Sequence, residues 1–214
     1  MHIARCWLVV FCLATSTWAQ AAEPRLGPHR SIWVFGDSLS AGYASWATLL
    51  TIEGYAHVRN TARGGKRMVD LEVPGWLRCS RRGGYRNDEV IIWLGSNDAF
   101  TNVQMPLFRT RLIDALQILQ GRGCFVYMAL PPRFEAAPAL DESIPSYRDT
   151  ILGVTAGYDN VEIWDIPHPG NMTFDGIHQT LALQRQQFLW VKNKLGISED
   201  DRATGFVGKA TTVR

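Results

Sequence analysis

Residues 32–43 read IWVFGDSLSAGY, an apolar run that stops abruptly at Gly36, Asp37 and Ser38. The run has the composition and length of a buried strand. Gly, Asp and Ser are residues that tight turns use. The segment therefore predicts a first strand that runs into a turn. A turn of this kind does not by itself distinguish a catalytic serine from an ordinary one, so partners for the hydroxyl have to come from the rest of the chain.

Strands and helices alternate after this segment. A helical pattern in residues 66–77 is interrupted at Pro74 and Gly75. The apolar runs predict strands at residues 31–35, 56–59, 89–94, 124–130 and 161–166, and the remaining periodic segments predict helices at 45–53, 106–120, 146–155 and 181–195.

This alternation predicts the fold class. Continuous apolar strands separated by helices are typical of a parallel sheet that is covered on both faces. With right-handed crossovers, the pattern predicts an α/β fold, a three-layer α/β/α sandwich around a five-stranded parallel sheet. We expect one domain at residues 22–197, without internal repeats, and a loose polar tail at residues 198–214.

The first residues of the chain have the pattern of a secretory signal peptide. A short basic start precedes the apolar run CWLVVFCLA at residues 6–14, which is too short to span a bilayer. Ala19, Gln20 and Ala21 form a small-x-small cleavage pattern. We therefore predict a signal peptide at residues 1–21, cleavage after Ala21 and a secreted or periplasmic protein, with an uncleaved anchor as the alternative.

Composition narrows the classes of partner. The formal net charge is only +2, and the densest basic patch, residues 78–86, is too short to indicate a nucleic-acid surface. No apolar stretch after the signal peptide is long enough to cross a membrane. We expect no nucleic-acid partner and no integral membrane segment in the mature chain. The oligomeric state stays open.

Two cysteines remain after cleavage. Cys79 precedes the predicted third strand, and Cys124 begins the predicted fourth. These strands are expected to be neighbours, so both cysteines lie at the same edge of the sheet. An exported chain allows a disulfide between them, and two buried thiols are the alternative.

Residues that carry chemistry follow the predicted strands. Ligands bind at the carboxyl ends of the strands in open parallel sheets, so the loops at those ends are the candidate site. These loops contain a hydroxyl, paired glycines, an amide, a carboxylate and an imidazole, at Ser38, Gly64–Gly65, Asn97, Asp175 and His178.

This set matches the requirements of acyl transfer. A serine hydroxyl needs a base, and His178 is the candidate, because an imidazole ordinarily titrates near neutrality. Asp175 is placed to hold the imidazole tautomer, and Ser38 as nucleophile is preferred to Ser40. Oxyanion donors are predicted at the Ser38 and Gly65 backbone N–H groups and the Asn97 amide, with Gly64 left open. His168 is the rival base, but it lacks a carboxylate three residues before it.

Four blocks together resemble the SGNH hydrolases, also called the GDSL esterase/lipase superfamily. They are GDSLS at residues 36–40, NTARGG at 60–65, GSND at 95–98 and DGIH at 175–178. The resemblance covers the mature domain and implies a flavodoxin-like fold. It implies a Ser38–His178–Asp175 triad, with neither metal nor organic cofactor. The Gly-x-Ser-x-Gly elbow is missing, because Ser40 stands at its last position, and this argues against the α/β-hydrolase fold.

The expected function is an exported serine esterase that cuts short acyl esters through an acyl-enzyme, with deacetylation of a carbohydrate as one form. The polar, proline-rich residues 131–145 favour short acyl groups, whereas Arg63 and Arg133 keep an anionic headgroup open. Lysophospholipase, thioesterase and O-acyltransferase activities therefore remain alternatives. A non-catalytic cell-envelope binding module is the alternative from another class.

Overall fold

The computed structural model describes residues 31–54, 57–79, 81–82, 85–86 and 88–198. The predicted signal peptide at residues 1–21 lies outside the described residues, as does the predicted tail except for Ser198. Within the described part of the chain, no helix combines the length and apolar character needed to cross a bilayer.

A five-stranded parallel sheet forms the centre of the domain, as the sequence predicts. Its strand order is β2-β1-β5-β6-β7, the doubly wound order in which the chain reverses direction across the sheet beside β1. The strands of this sheet are β1 (Ser31–Gly36), β2 (His57–Asn60), β5 (Asp88–Trp93), β6 (Phe125–Ala129) and β7 (Val161–Trp164), and a separate hairpin pairs β3 (Arg81–Arg82) with β4 (Tyr85–Arg86).

Helices cover both faces of the sheet. One layer contains α1 (Trp46–Ile52) packed on α6 (Leu181–Lys194), and the other contains α3 (Met105–Gly121) packed on α5 (Ile144–Thr155). Ser45 caps α1, because its side chain accepts a hydrogen bond from the Thr48 N–H. The three-layer architecture is therefore confirmed.

The local structure differs from the sequence prediction in three places. The segment at residues 66–77 contains a 3₁₀ turn at Met68–Asp70 and a turn at residues 75–76, and the rest has no regular secondary structure. Two short helices were missed, α2 (Ser96–Phe100) and α4 (Pro138–Asp141). Both are shorter than the span over which helical periodicity is visible in a sequence.

The central strands form the core because they are apolar on both sides. The side chains from Ile32 to Phe35 and from Val90 to Leu94 are buried, as expected for strands that are covered on both faces. Because these strands are buried, they fix the positions of the first loop residues that follow their carboxyl ends. The rim of the sheet is thus a rigid base for the candidate site.

Cys79 and Cys124 form a disulfide at the opposite edge of the sheet. Their Cα atoms lie 4.8 Å apart, and the Cys79 N–H donates to the carbonyl of Arg122 at 3.2 Å. Cys79 precedes the β3–β4 hairpin rather than β5 itself, which the sequence did not predict.

Candidate active site

The turn after β1 presents Ser38 and buries the residues around it. Asp37 is 1% exposed, and its Oδ1 accepts the Leu39 N–H at 2.9 Å. Ser40 closes the turn by donating its N–H to the Asp37 carbonyl at 3.2 Å. The Ser40 side chain is fully buried against Gly36, where an added Cβ would come within 2.7 Å of the Ser40 Cβ. Only Ser38 of the two serines therefore reaches the cavity.

His178 and Asp175 approach Ser38 from the loop after β7. His178 Nε2 lies 3.1 Å from Ser38 Oγ, and His178 Nδ1 lies 2.6 Å from Asp175 Oδ2. The second carboxylate oxygen of Asp175 accepts the N–H groups of Ile177 at 2.9 Å and His178 at 2.6 Å. Gly176 turns the chain between them with φ at 84°, a left-handed conformation that favours glycine.

Hydrogen bonds keep the Asp175 carboxylate ionised. Partial burial raises its pKa, but the ring and backbone N–H of His178 and the Ile177 N–H more than offset this, so that the pKa falls to about 2. The carboxylate is thus charged throughout the range in which an imidazole titrates. It is suited to hold a proton on His178 Nδ1, which leaves Nε2 free to accept one from Ser38.

Asn97 lies at the start of α2, beside Ser38. Its Nδ2 lies 3.2 Å from the carbonyl oxygen of Lys66 and 3.4 Å from Asp37 Oδ2. The second distance is too long for a strong hydrogen bond. Burial raises the pKa of Asp37 to about 7, against the lowering effect of the Leu39 N–H. The Asn97 amide is therefore held between the turn that carries Ser38 and the loop after β2, which contains Lys66.

Asp98 stabilises the loop after β2 from the interior of the protein. It is fully buried, and its carboxylate accepts the N–H groups of Met68 at 2.6 Å and Val69 at 3.2 Å. Burial raises the pKa of Asp98, while these two N–H groups act in the opposite direction. Asp98 thus holds the loop after β2 through Met68 and Val69 and does not line the cavity.

Gly64 and Gly65 form a tight turn on the same rim. The Lys66 N–H donates to the Arg63 carbonyl at 3.3 Å, and Gly65 has φ at 73°. The Arg63 N–H donates to the carbonyl of Gly36 at 3.2 Å, so the turn lies next to the nucleophile strand. Neither glycine lines the cavity at Ser38. The turn meets the site through the contact between Lys66 and Asn97.

A cavity of about 140 Å³ opens beside Ser38, Asn97 and His178. Most of its lining is apolar, and the apolar lining residues are Leu39, Phe100, Phe134, Leu140 and Ile177. Phe134 and Leu140 were not predicted as site residues, because the segment at 131–145 was interpreted as a polar loop. Two large apolar side chains in an otherwise polar, proline-rich segment were the available signal.

An ion pair between Arg133 and Asp141 stabilises the conformation of this segment. Arg133 Nε donates to Asp141 Oδ1 at 2.8 Å, and the same oxygen accepts the Phe134 N–H at 2.8 Å. Arg133 is thus engaged within its own loop rather than directed at an anionic group of a substrate. Arg63, in contrast, lines a separate open polar cleft with Lys66 and Arg111.

His168, the rival base, and Trp76 lie outside the cavity at Ser38. The ring of His168 packs edge-on against Phe134, with ring centroids 5.6 Å apart, and burial lowers its pKa. It does not line the cavity at Ser38. Trp76 is 64% exposed, packs on Trp33 and is absent from the cavity lining.

The arrangement agrees with the relationship of the sequence to known proteins. The GDSL-like lipase/acylhydrolase family matches this chain over residues 34–186, a range that contains Ser38, Asn97, Asp175 and His178. The chain belongs to this family. As a GDSL-family hydrolase it is an ester-hydrolysing enzyme. No curated protein gives a significant match.

Solved structures similar to this GDSL-family chain share its fold at low sequence identity. LAE5, an alpha/beta hydrolase enzyme from the metagenome of Lake Arreo, is 15% identical with a TM-score of 0.63, covering 80% of this chain and 96% of its own. Axe2, an acetylxylan esterase from Geobacillus stearothermophilus, is 13% identical with a TM-score of 0.63, covering 82% and 97%. Esterase EstA from Pseudoalteromonas sp. is 16% identical with a TM-score of 0.55, covering 78% and 99%.

Within the described part of the chain, no group of three or more His, Cys, Asp or Glu side chains is arranged to hold a metal ion.

Proposed function

We propose that this protein is a serine esterase in which Ser38 is the nucleophile, His178 the general base and Asp175 its orienting partner. The observation that carries the proposal is the unbroken hydrogen-bonded chain from Ser38 Oγ through the His178 ring to Asp175, with lengths of 3.1 and 2.6 Å. Residues from two loops, 140 positions apart, meet in the order that acyl transfer requires.

The first half of the reaction forms an acyl-enzyme. As the Ser38 oxygen attacks the ester carbonyl carbon, its proton passes to His178 Nε2. The carbonyl oxygen becomes an oxyanion, for which the Ser38 backbone N–H and the Asn97 amide in the cavity lining are the proposed donors, with the Gly65 N–H from the adjacent turn as the proposed third. The 3.4 Å contact between Asn97 and Asp37 is weak enough for an oxyanion to replace it.

The second half restores the enzyme. His178 gives its proton to the leaving alcohol as the carbon–oxygen bond of the ester breaks. Water then attacks the acyl-enzyme with His178 again as the base, and the acid leaves. Asp175 stays ionised throughout and stabilises the imidazolium, as its pKa of about 2 allows.

The size of the cavity supports short acyl groups. Its volume is about 140 Å³, and a cavity of roughly 150 Å³ holds a six-carbon ring. Acyl groups of up to about six carbons are therefore the proposed substrates. A long fatty acyl chain would exceed this volume and extend into water, which disfavours the lysophospholipase alternative.

Phe174 supports a ring-bearing alcohol. Its ring stacks on His178 with centroids 5.7 Å apart and an interplanar angle of 18°, yet the residue is 72% exposed. The leaving alcohol has to lie within reach of His178 Nε2, so it passes this open aromatic face. Esters on a carbohydrate suit such a surface, and two of the similar folds are acetylxylan esterases.

The experiment is hydrolysis of p-nitrophenyl esters of rising chain length, from acetate to laurate, and of acetylated xylan. We expect the highest kcat/KM at six carbons or fewer. Ser38→Ala is expected to lower kcat at least about 10³-fold, whereas Ser146→Ala on the exposed face of α5 is the matched control and keeps the full rate. Equal rates for Ser38→Ala and the control would contradict the proposal.

We also propose that the protein is exported. The signal-peptide pattern of residues 1–21 and the Cys79–Cys124 disulfide support this proposal. When the full chain is expressed in a bacterium with a periplasm, we expect mass spectrometry of the periplasmic protein to give an N-terminus at Ala22. A protein that keeps Met1 and stays in the cytosol would contradict export while leaving the esterase proposal intact.

A further inference from the structure

Two buried glutamines connect the halves of the candidate site. Gln179 directly follows His178 and is 7% exposed, and Gln187 on α6 is fully buried. Buried amide groups require hydrogen-bond partners, and these two residues are partners of one another. Neither belongs to a motif that the sequence analysis identified.

The contacts form a continuous chain. Gln179 Nε2 donates to the Leu39 carbonyl at 3.0 Å and to Gln187 Oε1 at 3.2 Å. Gln187 Nε2 donates to the Pro167 carbonyl at 2.8 Å. Each amide is thereby fixed in orientation, because Gln187 uses its oxygen on one side and its nitrogen on the other. The chain runs from the nucleophile turn to the loop after β7.

This chain runs beside the catalytic hydrogen bond. Leu39 follows Ser38, and Gln179 follows His178, so the bond between Gln179 and Leu39 joins the residues immediately after the nucleophile and the base. The loop also has its own bonds, from the Phe174 N–H to the His178 carbonyl and from the Thr180 N–H to the Met172 carbonyl, each 3.0 Å. Those bonds shape the loop but do not tie it to the turn.

We propose that Gln179, oriented by Gln187, is a positioning residue that sets the distance between Ser38 Oγ and His178 Nε2. The inference rests on the proposed function. A misplacement of about 1 Å between reacting groups can cost on the order of 100-fold in rate. Removing the amide lets the exposed His178 loop shift relative to the buried turn, and proton transfer slows while substrate binding stays the same.

Gln184 provides a matched control on the same helix. It is 8% exposed, and its Oε1 accepts the Trp46 N–H at 2.8 Å. It is thus a buried glutamine with one strong backbone contact, as Gln179 is, but it joins α6 to α1 instead of to the triad. Loss of its amide costs stability through an unpaired buried N–H group.

The test compares Gln179→Met, Gln187→Met and Gln184→Met, which keep side-chain length and remove the amide. We expect Gln179→Met to lower kcat about 10- to 100-fold with KM within about twofold of wild type. Gln187→Met lowers kcat less, and the double variant is no slower than Gln179→Met alone, because the two amides act in series. Gln184→Met loses Tm to a similar extent but keeps the wild-type kcat.

Equal kcat losses in Gln179→Met and Gln184→Met, or an unchanged kcat in a folded Gln179→Met, would overturn the proposal. If Gln179→Met does not fold, Gln187→Met decides by the same comparison. A wild-type protein without esterase activity would refute the proposed function instead. In that case the NMR resonance of the proton between His178 Nδ1 and Asp175 decides: a shift in Gln179→Met but not in Gln184→Met supports positioning, and an unchanged resonance refutes it.

Discussion

The nucleophile turn and the His178 loop contribute to one site but differ in how they are held. The turn continues the central strand β1, and its neighbours Asp37, Leu39 and Ser40 are all buried. The loop lies on the surface, where the side chains of His178 and Asp175 are 37% and 39% exposed. The sheet thus fixes the nucleophile, while a few hydrogen bonds fix the base. Changes in the buried turn residues around Ser38 should cost stability, and changes in the loop should cost activity.

Asp175→Asn gives the largest expected effect and tests the loop. The amide no longer holds the imidazole tautomer, so kcat should fall about 10⁴-fold. Because Asp175 is partly exposed and an Asn oxygen can still accept the Ile177 and His178 N–H groups, Tm should fall by much less than activity. Initial rates and a thermal melt of the same sample measure both. A loss of activity that parallels a large loss of Tm would show that the loop is part of the structural core.

Asp37→Asn tests the turn through the pH dependence of stability. The folded protein holds the Asp37 proton up to about pH 7, whereas the unfolded chain releases it near 3.8. The stabilisation is therefore complete below pH 4 and is lost as the pH rises to 7, by roughly 4 kcal/mol for a shift of this size.

Urea unfolding at several pH values should show this fall in the wild type and a smaller fall in Asp37→Asn, in which buried Asp98, whose pKa is also raised, still contributes. Asp175 acts in the opposite direction, since its pKa is lowered to about 2: its contribution is present above pH 4 and is lost as the pH falls through 2. Identical pH profiles for the wild type and Asp37→Asn would show that Asp37 ionises normally.

Gly36→Ala and Gly176→Ala are a matched pair with the smallest expected effects. At Gly36 an added Cβ meets Ser40 at 2.7 Å in the buried turn, so unfolding free energy should fall by about 1–3 kcal/mol. At Gly176 the cost is the left-handed backbone, about 1 kcal/mol, and a Cβ 3.2 Å from the carbonyl oxygen of Ala136. Gly176→Ala should lower kcat with a Tm loss of only about 2–4 °C, smaller than the loss in Gly36→Ala. The reverse pattern would contradict the division between the two regions.

The sequence predicted the turn better than the loop, for a physical reason. A central parallel strand is apolar on both faces, so its end and the residues beyond it can be located from composition alone. The order of the strands then places Ser38, Asn97 and His178 on one rim. The sequence left both a disulfide and two buried thiols open, because strand ends define an edge of the sheet but not the path of the chain before β5.

The cavity and its supports could not be predicted in this way. Phe134 and Leu140 reach the cavity from a segment without periodicity, and α4 is only four residues long. Gln179 and Gln187 are polar residues that a pattern analysis assigns to the surface, yet both are buried. Burial of an amide depends on partners distant in the sequence, such as Leu39 and Pro167, and a single sequence does not show them.

The most direct test of the central claim is the site at which a fluorophosphonate reacts. Ser38 Oγ should attack phosphorus and displace fluoride, so mass spectrometry of the digested protein should find the adduct on Ser38. We expect Ser38→Ala to abolish labelling and His178→Ala to slow it by several orders of magnitude, while the buried Ser40 stays unmodified. An adduct on another residue, or labelling of Ser38 at the same rate without His178, would contradict the account.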